Sequence, residues 1–332
     1  MERLLITLIL VCTMNNITNA QNPFYGQYHT PHEAVPFDRI ETEHYEPAIL
    51  EGIRLQNAEI EAIIQNPEKA DFTNTIEAFD ESGELLDRVV AVFGNMLSAE
   101  TNDDLQELAQ KIMPLLSEHS NNITLNEKLF ARVKEVYNQK EALQLTQEQK
   151  QLLENAYNSF VRHGANLEGE AREEYRRLTT ELSKLTLTFS ENNLKETNAY
   201  QMLLTKKESL AGLPEIIIEA AAETAKSEGK EGWAFTLHAP SYIPFMTYSD
   251  NRDLRQKLYM AYNTKCTHDN EFNNIDIVKK IANTRMKIAQ LLGYKDYAEY
   301  TLKKRMAENS KSVYKLLNQL LEAYTPTAQQ EY

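Results

Sequence analysis

The stretch Leu85–Leu97, LLDRVVAVFGNML, decides the fold class of this 332-residue chain. Its apolar residues recur at three- and four-residue intervals, which places all of them on one face of a helix. Ser82 lies just before the run and is the expected helix cap. The stretch therefore predicts a helix that buries one face against neighbouring helices.

The same periodicity recurs along most of the chain. Helices are predicted at about 104–118, 126–140, 146–163 and 168–195, and later at about 275–292, 295–307 and 310–324. Glycine and proline number only ten each, which leaves few turns for an all-β fold. The sequence predicts an all-α fold, a multi-helix shell or bundle with at most a few short strands.

Two proline-containing stretches interrupt this pattern. Trp233–Leu237 is predicted to form a short strand, and Pro240 and Pro244 then predict a fixed loop. Near the carboxyl end, Thr325 is the expected cap of a new helix and Pro326 its first residue. The sequence stops at Tyr332, less than two turns into that helix.

Composition bounds the partners. Acidic residues number 49 and basic residues 35, so the formal net charge is -14. A chain this acidic repels nucleic-acid phosphate, and no basic stripe with interleaved aromatic residues is present. We therefore expect no nucleic-acid partner and interpret the charge as a well-solvated surface.

The first twenty residues differ from the rest. A short basic start and the apolar run LLITLILVC precede small residues suited to cleavage before Gln21, which is typical of a secretion signal. The run is too short to span a bilayer, and no later stretch is apolar enough to do so. We predict export to the periplasm or the extracellular space. Cys12 is an alternative site of lipid attachment, and signal removal would leave Cys266 as the sole cysteine.

Changes in texture along the chain suggest three regions. Residues 1–20 are the expected signal peptide, and residues 21–204 form an amino-terminal arm followed by a helical subdomain. The helical pattern of apolar residues is interrupted near residue 203. Residues 205–332 are therefore expected to form a second helical subdomain that is truncated at its carboxyl end.

The segment His32–Asp38, HEAVPFD, opens like the zinc-peptidase signature H-E-x-x-H. That signature needs two histidines on one face of a helix, but Pro36 stands where the second histidine should be. Elsewhere only His29 has a potential ligand four residues later, Glu33, and it lies in the same proline-rich arm. The pair His268 and Glu271 has a spacing that metals use on helices, although a solvated helix start explains it equally well.

No other active-site pattern emerges from the residues. The chain has no glycine-rich phosphate loop and no G-x-S-x-G motif. We therefore predict no catalytic residue and no metal ligand in this chain, and the residues alone leave any substrate-binding residues unknown.

Three long stretches carry a family resemblance. They are the opening at 22–49, FTLHAPSYIPFMTYSDNRDLRQKLYMAYNTK at 235–265 and IVKKIANTRMKIAQLLGYKDYAEYTLKKRMAENSKSV at 277–313. All three resemble the thimet-oligopeptidase-like zinc metallopeptidases, most closely the peptidyl-dipeptidase (dipeptidyl carboxypeptidase) branch. The resemblance runs from about residue 22 to residue 332.

The resemblance implies an all-α, two-lobed shell around a channel that admits oligopeptides. It also implies zinc as the cofactor of the full-length enzyme, with the H-E-x-x-H helix and a third ligand in its second half. Nothing in this chain matches those ligands. The chain is thus expected to be the amino-terminal half, inactive alone, with an apolar patch on its last helices that the missing carboxyl-terminal half would cover.

Two questions stay open at this point. Tyr242 and Tyr248, in PSYIPFMTYS, could lie near the interface with the missing half, or they could simply pack in the core or on the surface. The chain as a whole could also be a non-catalytic helical binding or scaffold protein, since every ligand motif is absent from it.

Overall fold

Helices dominate the chain, as the periodicity predicts. The structure is a computed structural model that describes residues 22–332. Within that range it contains twelve α-helices of at least six residues and two short strands, so the predicted all-α fold is confirmed. The helices are α1 Thr42–Gln65, α2 Glu84–Ala99, α3 Asp103–Thr124, α4 Glu127–Asn138, α5 Gln147–Arg162, α6 Gly169–Ala199, α7 Glu215–Ser227, α8 Ala239–Tyr248, α9 Arg252–Asn263, α10 Ile275–Leu291, α11 Tyr297–Leu302 and α12 Ser310–Glu331. The strands are β1 Gln201–Leu204 and β2 Trp233–Thr236.

Two compact units share the chain. One comprises the residues up to Ser183 together with Met286–Tyr332, and the other comprises Lys184–Arg285. The predicted boundary between residues 204 and 205 lies at neither end of the second unit. The division into domains at that boundary stays a prediction. The predicted signal peptide, with Cys12, lies outside the described residues.

In the first unit, the core lies where α1, α4 and α5 meet a short helical segment, Phe72–Asp80. Leu129 of α4 and Leu153 of α5 are fully buried there. Phe130 stacks on Phe160 with ring centroids 5.8 Å apart. These contacts bury the apolar faces that the sequence pattern predicted.

The helix over the opening stretch begins differently from our expectation. Gly83, in a left-handed conformation at φ 87°, is the N-cap residue of α2. Ser82 is not the cap, because its hydroxyl donates to the carbonyl of Phe79. The Gly83 N–H donates to the Glu59 carboxylate of α1 at 2.8 Å. A side-chain carboxylate of α1 thus holds the residue at which α2 begins, and α2 has no side-chain cap.

In the second unit, β1 and β2 pair antiparallel, with Gln201 opposite Thr236 and Leu204 opposite Trp233. Phe235 of β2 packs edge-on against Phe245 of α8 at 4.6 Å, and neither ring is exposed. Leu258 of α9 completes this small core.

The predicted loop at Pro240 and Pro244 was wrong, because these residues belong to helix α8. Pro240 lies in the first turn, where its missing N–H needs no partner. Pro244 removes one helical hydrogen bond, but the next residue, Phe245, is fully buried and its packing holds the helix in place.

The predicted cap at Thr325 was wrong as well. Helix α12 runs without a break through Pro326, and the Thr325 hydroxyl donates to the Leu321 carbonyl within the helix. Asn309 caps the start of this helix through the Ser312 N–H. Across residues 22–332, no helix is both long and apolar enough to cross a membrane.

Candidate functional site

The zinc-like segment does not form the regular helix that the H-E-x-x-H signature requires. His32 lies in a single 3-10 turn, Pro31–Glu33, with a left-handed φ of 58°. His29 and Glu33 also have positive φ angles, 49° and 55°. A histidine pair one turn apart needs regular helix, and this arm has none.

Two other histidines, His119 and His268, make contacts that hold elements of the fold together. His119 of α3 is buried and contacts the amide oxygen of Gln56 in α1 at 2.6 Å. Burial lowers the pKa of His119, so the ring stays neutral near pH 7. His268 lies in the loop between α9 and α10 and not at a helix start, so its spacing from Glu271 has no helical meaning.

The partner of His268 is a residue far away in sequence, Glu196 of α6. His268 Nδ1 lies 2.6 Å from Glu196 Oε1. The backbone N–H of Cys266 and its thiol both donate to the same carboxylate. The side chain of Glu196 is only 12% exposed. One nearly buried carboxylate thus fastens the loop between α9 and α10 onto α6.

The electrostatics of this cluster disfavour a reactive thiolate at Cys266. Burial, together with the hydrogen bond to Glu196, raises the pKa of the Cys266 thiol to about 11. The thiolate is the reactive form of cysteine, and it is scarce at such a pKa. Burial raises the pKa of Glu196, but the hydrogen bonds from His268 and Cys266 outweigh it, and the net pKa lies below its ordinary value. The cluster is a structural anchor despite its catalytic residue types.

A tyrosine cluster lies on α8 and α9. The rings of Tyr242 and Tyr262 stack with centroids 4.1 Å apart and planes at 19°. Asn263 hydrogen-bonds with Tyr242. Tyr259, one turn before Tyr262 on α9, is half exposed. The Lys265 ammonium lies 4.4 Å from the centroid of the Tyr262 ring. Aromatic rings, hydroxyls and a cation therefore meet at one surface.

Sequence reasoning singled out Tyr242 and Tyr248, and the structure gives them different surroundings. Tyr242 is half-buried in the cluster, whereas Tyr248 is the last residue of α8 and is 52% exposed. The other members, Tyr259, Tyr262 and Lys265, were missed. Their three-residue spacing from 259 to 262 was a usable signal, because it places both rings on one side of α9.

Helix α12 presents an apolar face that nothing in the described chain covers. Its core-type side chains recur at helical spacing, yet each stays well exposed: Leu317 at 50%, Leu320 at 38%, Leu321 at 68% and Tyr324 at 65%. No residue of α12 is buried. An amphipathic helix gains its stability in proteins mainly by packing its apolar face. The exposed apolar face of α12 is therefore a candidate interaction surface.

An acidic groove lies between α1 and α3. It has a cavity volume of about 820 Å³ and is lined by Glu43, Glu46, Asp104 and Glu107 beside apolar residues. Lys111 spans it, with its ammonium 2.6 Å from Glu46. This ion pair satisfies part of the charge within the groove.

Comparison with known proteins identifies relatives. The model of peptidase family M3 matches residues 245–332. The chain is 34% identical to the dipeptidyl carboxypeptidase of Escherichia coli over 311 residues, which are 93% of this chain and 46% of that protein. It is 36% identical to the dipeptidyl carboxypeptidase of Salmonella typhimurium over 288 residues (86% and 42%), and 32% identical to oligopeptidase A of Haemophilus influenzae over 300 residues (89% and 44%).

These matches define a helical relative of metallopeptidases. Residues 245–332 match the model of peptidase family M3, and the similarity to named peptidases extends over nearly the whole chain. The predicted resemblance is confirmed. The chain spans somewhat less than half the length of the curated relatives it matches.

M3 peptidases are in general zinc-dependent, and the described residues do not fit such a centre. Within residues 22–332, no group of three His, Cys, Asp or Glu side chains could hold a metal ion. The nearest assortment of ligand types is Glu196 with Cys266 and His268, and its polar atoms hydrogen-bond to one another.

Proposed function

We propose that this chain forms part of a zinc-dependent peptidase that hydrolyses short peptides, of the oligopeptidase or peptidyl-dipeptidase type. The observation that carries the proposal is the similarity along 93% of the chain to a dipeptidyl carboxypeptidase at 34% identity. The helical fold agrees with the architecture that the resemblance implies.

The zinc centre, in this proposal, comes from a stretch equivalent to the part of the relatives that this chain does not match. The lack of a three-ligand group in residues 22–332 supports this division of labour. The chain by itself is then inactive as a peptidase. Its contribution is wall and binding surface for the peptide, and the residues that carry hydrolysis lie elsewhere in the enzyme.

The uncovered face of α12 is the proposed docking surface for that stretch. Leu317, Leu321 and Tyr324 offer aliphatic and aromatic area at the spacing of a packed helix. The α12 face carries no acidic or basic residue between Leu316 and Leu321, so its chemistry suits an apolar protein surface and not a charged ligand.

We also propose that the protein is exported to the periplasm or the extracellular space. Support comes from the order of a basic start, an apolar run and small residues in the first twenty positions. Expression with a reporter enzyme fused after Ala20 tests the proposal, and a reporter retained in the cytoplasm contradicts it.

A second candidate function is a non-catalytic helical binding or scaffold protein. The absence of a metal-binding group from residues 22–332 is the observation that favours it. Both candidates predict no hydrolysis by this chain alone, so activity of the chain cannot separate them.

The decisive experiment uses the natural gene. We expect the reading frame around the codons for residues 1–332 to encode an H-E-x-x-H helix, and its full product to cleave a quenched fluorescent oligopeptide. A chelator should abolish the cleavage and zinc should restore it. A frame without that motif and a stable monomeric product would establish the scaffold alternative, while chelator-sensitive cleavage by the 332-residue chain would contradict the division of labour.

A further inference from the structure

A positioned cation lies at the edge of the tyrosine cluster. The Lys265 ammonium is held over the Tyr262 ring and donates to the Thr197 hydroxyl at 3.1 Å. Among the described residues it has no ion pair with a carboxylate. Glu196, adjacent to Thr197 in α6, is committed to His268 and Cys266. The lysine charge is thus fixed in place without an internal counter-ion.

The groups around this cation suit a peptide. Tyr259 is 50% exposed and Met260 is 49% exposed, so apolar side-chain area is available on α9. Tyrosine hydroxyls supply donors and acceptors for a peptide backbone. Tyrosine is enriched at binding surfaces because it offers large, rigid contact area with a polar tip.

We propose that the cluster of Tyr242, Tyr259, Tyr262 and Lys265 is a binding site for a peptide carboxylate next to an apolar residue. This inference rests on the proposed function for the identity of the ligand as a peptide. Lys265 pairs with the carboxylate, and the tyrosines contact the neighbouring side chain and backbone.

Charge selects a single carboxylate over a polyanion. Residues 184–285 contain as many acidic as basic residues, so the second unit has no excess positive charge to attract a polyphosphate or nucleic acid. One fixed ammonium can compensate one carboxylate. We expect this charge-assisted contact to contribute a factor of about ten in affinity, which corresponds to about 1.4 kcal/mol.

The experiment measures binding of defined peptides to the full chain by isothermal titration calorimetry. The probes are acetyl-Ala-Ala-Phe with a free carboxyl terminus, its terminal amide, and acetyl-Ala-Glu-Phe amide. The first two ask whether a terminal carboxylate is required, and the third offers a side-chain carboxylate in its place. The proposal requires that at least one acidic peptide binds about tenfold more tightly than acetyl-Ala-Ala-Phe amide, and equal binding of all three overturns it.

Two lysine variants on the same segment separate the site from general charge. Lys265→Met is expected to weaken acid-peptide binding at least about tenfold, and Lys265→Arg to restore most of it. Lys257→Met removes the same charge from an exposed position on α9 and should change binding less than about twofold. Equal losses in Lys265→Met and Lys257→Met overturn the proposal.

Failure of this inference and failure of the proposed function give different results. A full-length product that hydrolyses peptides, with a 332-residue chain that binds none of the three probes, overturns this inference alone. Acid-selective binding that depends on Lys265, without hydrolysis by the full-length product, supports the binding site and contradicts the proposed peptidase function.

Discussion

Replacement of Leu321 by glutamine tests directly whether the α12 face is uncovered. Leucine and glutamine have similar helix propensities, so the substitution changes apolar surface without penalising the helix. Full burial of a leucine side chain stabilises a protein by about 1.5–3 kcal/mol. Leu321 keeps 68% of its surface exposed. Only about a third of this stabilisation applies to Leu321, so the substitution should lower the free energy of unfolding by less than about 1 kcal/mol.

The matched control is Leu129→Gln in α4. Leu129 is completely buried in the first-unit core, so the same substitution there removes the whole burial term. It also leaves an amide without partners in the core, which costs a further ~1–3 kcal/mol. We expect a total loss above about 3 kcal/mol, several times the loss at Leu321.

The assay is urea unfolding of the full chain, followed by circular dichroism at equal protein concentrations. A companion measurement is the fluorescence of an apolar dye, which we expect to fall when Leu317 and Leu321 are both replaced by glutamine. A loss above about 2 kcal/mol for Leu321→Gln would show that α12 is packed in the isolated chain. Unchanged dye fluorescence in the double variant would count against the face as an exposed apolar patch.

The remaining predictions concern the second unit. Glu196→Gln weakens the contacts to His268 and Cys266 and should destabilise the chain by about 1.5–3 kcal/mol at pH 7. Because the folded pKa of Glu196 lies below its ordinary value of 4.5, this stability is present above pH 4.5 and lost as the pH falls through the folded pKa, so wild-type and variant unfolding free energies should converge in acid. With Cys12 replaced by serine, Cys266 should react with Ellman's reagent at pH 8 at least about tenfold more slowly in the native chain than in urea, since its pKa is about 11, and equal rates would contradict the buried thiol. Gly212→Ala should cost more than about 2 kcal/mol, because at φ 86° its Cβ would overlap the Tyr248 carbonyl; Gly229→Ala, at φ 68° in open space, should cost only about 1 kcal/mol, and equal thermal shifts would refute the overlap.

Local periodicity was sufficient for the helices because burial of one face is what stabilises them. The run at 85–97 and the helix predicted at about 168–195 are both helical, and apolar side chains such as Val89, Tyr175 and Leu178 are buried. Strand β1 was not predicted, since its four residues are defined by pairing with β2 across a gap of about thirty residues. No local pattern encodes such a partner.

Prolines were misread for a related reason. Both Pro244 and Pro326 lower local helix propensity. The sequence shows this loss of helix stability, but it does not show the tertiary packing that compensates for it. At Pro244 the compensation is the packing of Phe245 on Phe235. The anchor formed by Glu196 and His268 was missed because its members lie 72 residues apart. At His32, by contrast, the local constraint of the neighbouring prolines was readable from the sequence, and the backbone there is a single 3-10 turn.

The two uncovered surfaces differ in chemistry, and this difference argues for different occupants. On α12 the exposed side chains between Leu316 and Leu321 are aliphatic or amide-bearing, so favourable binding there comes from removing apolar area from water over a broad contact. On α8 and α9 the exposed rings surround a fixed ammonium, and a small ligand with one carboxylate can satisfy it. A polypeptide partner gains little from pairing with one charge at its rim, whereas a short peptide gains much of its affinity from it. Covering α12 should therefore change stability and assembly state, and changing Lys265 should alter peptide affinity while stability stays nearly constant.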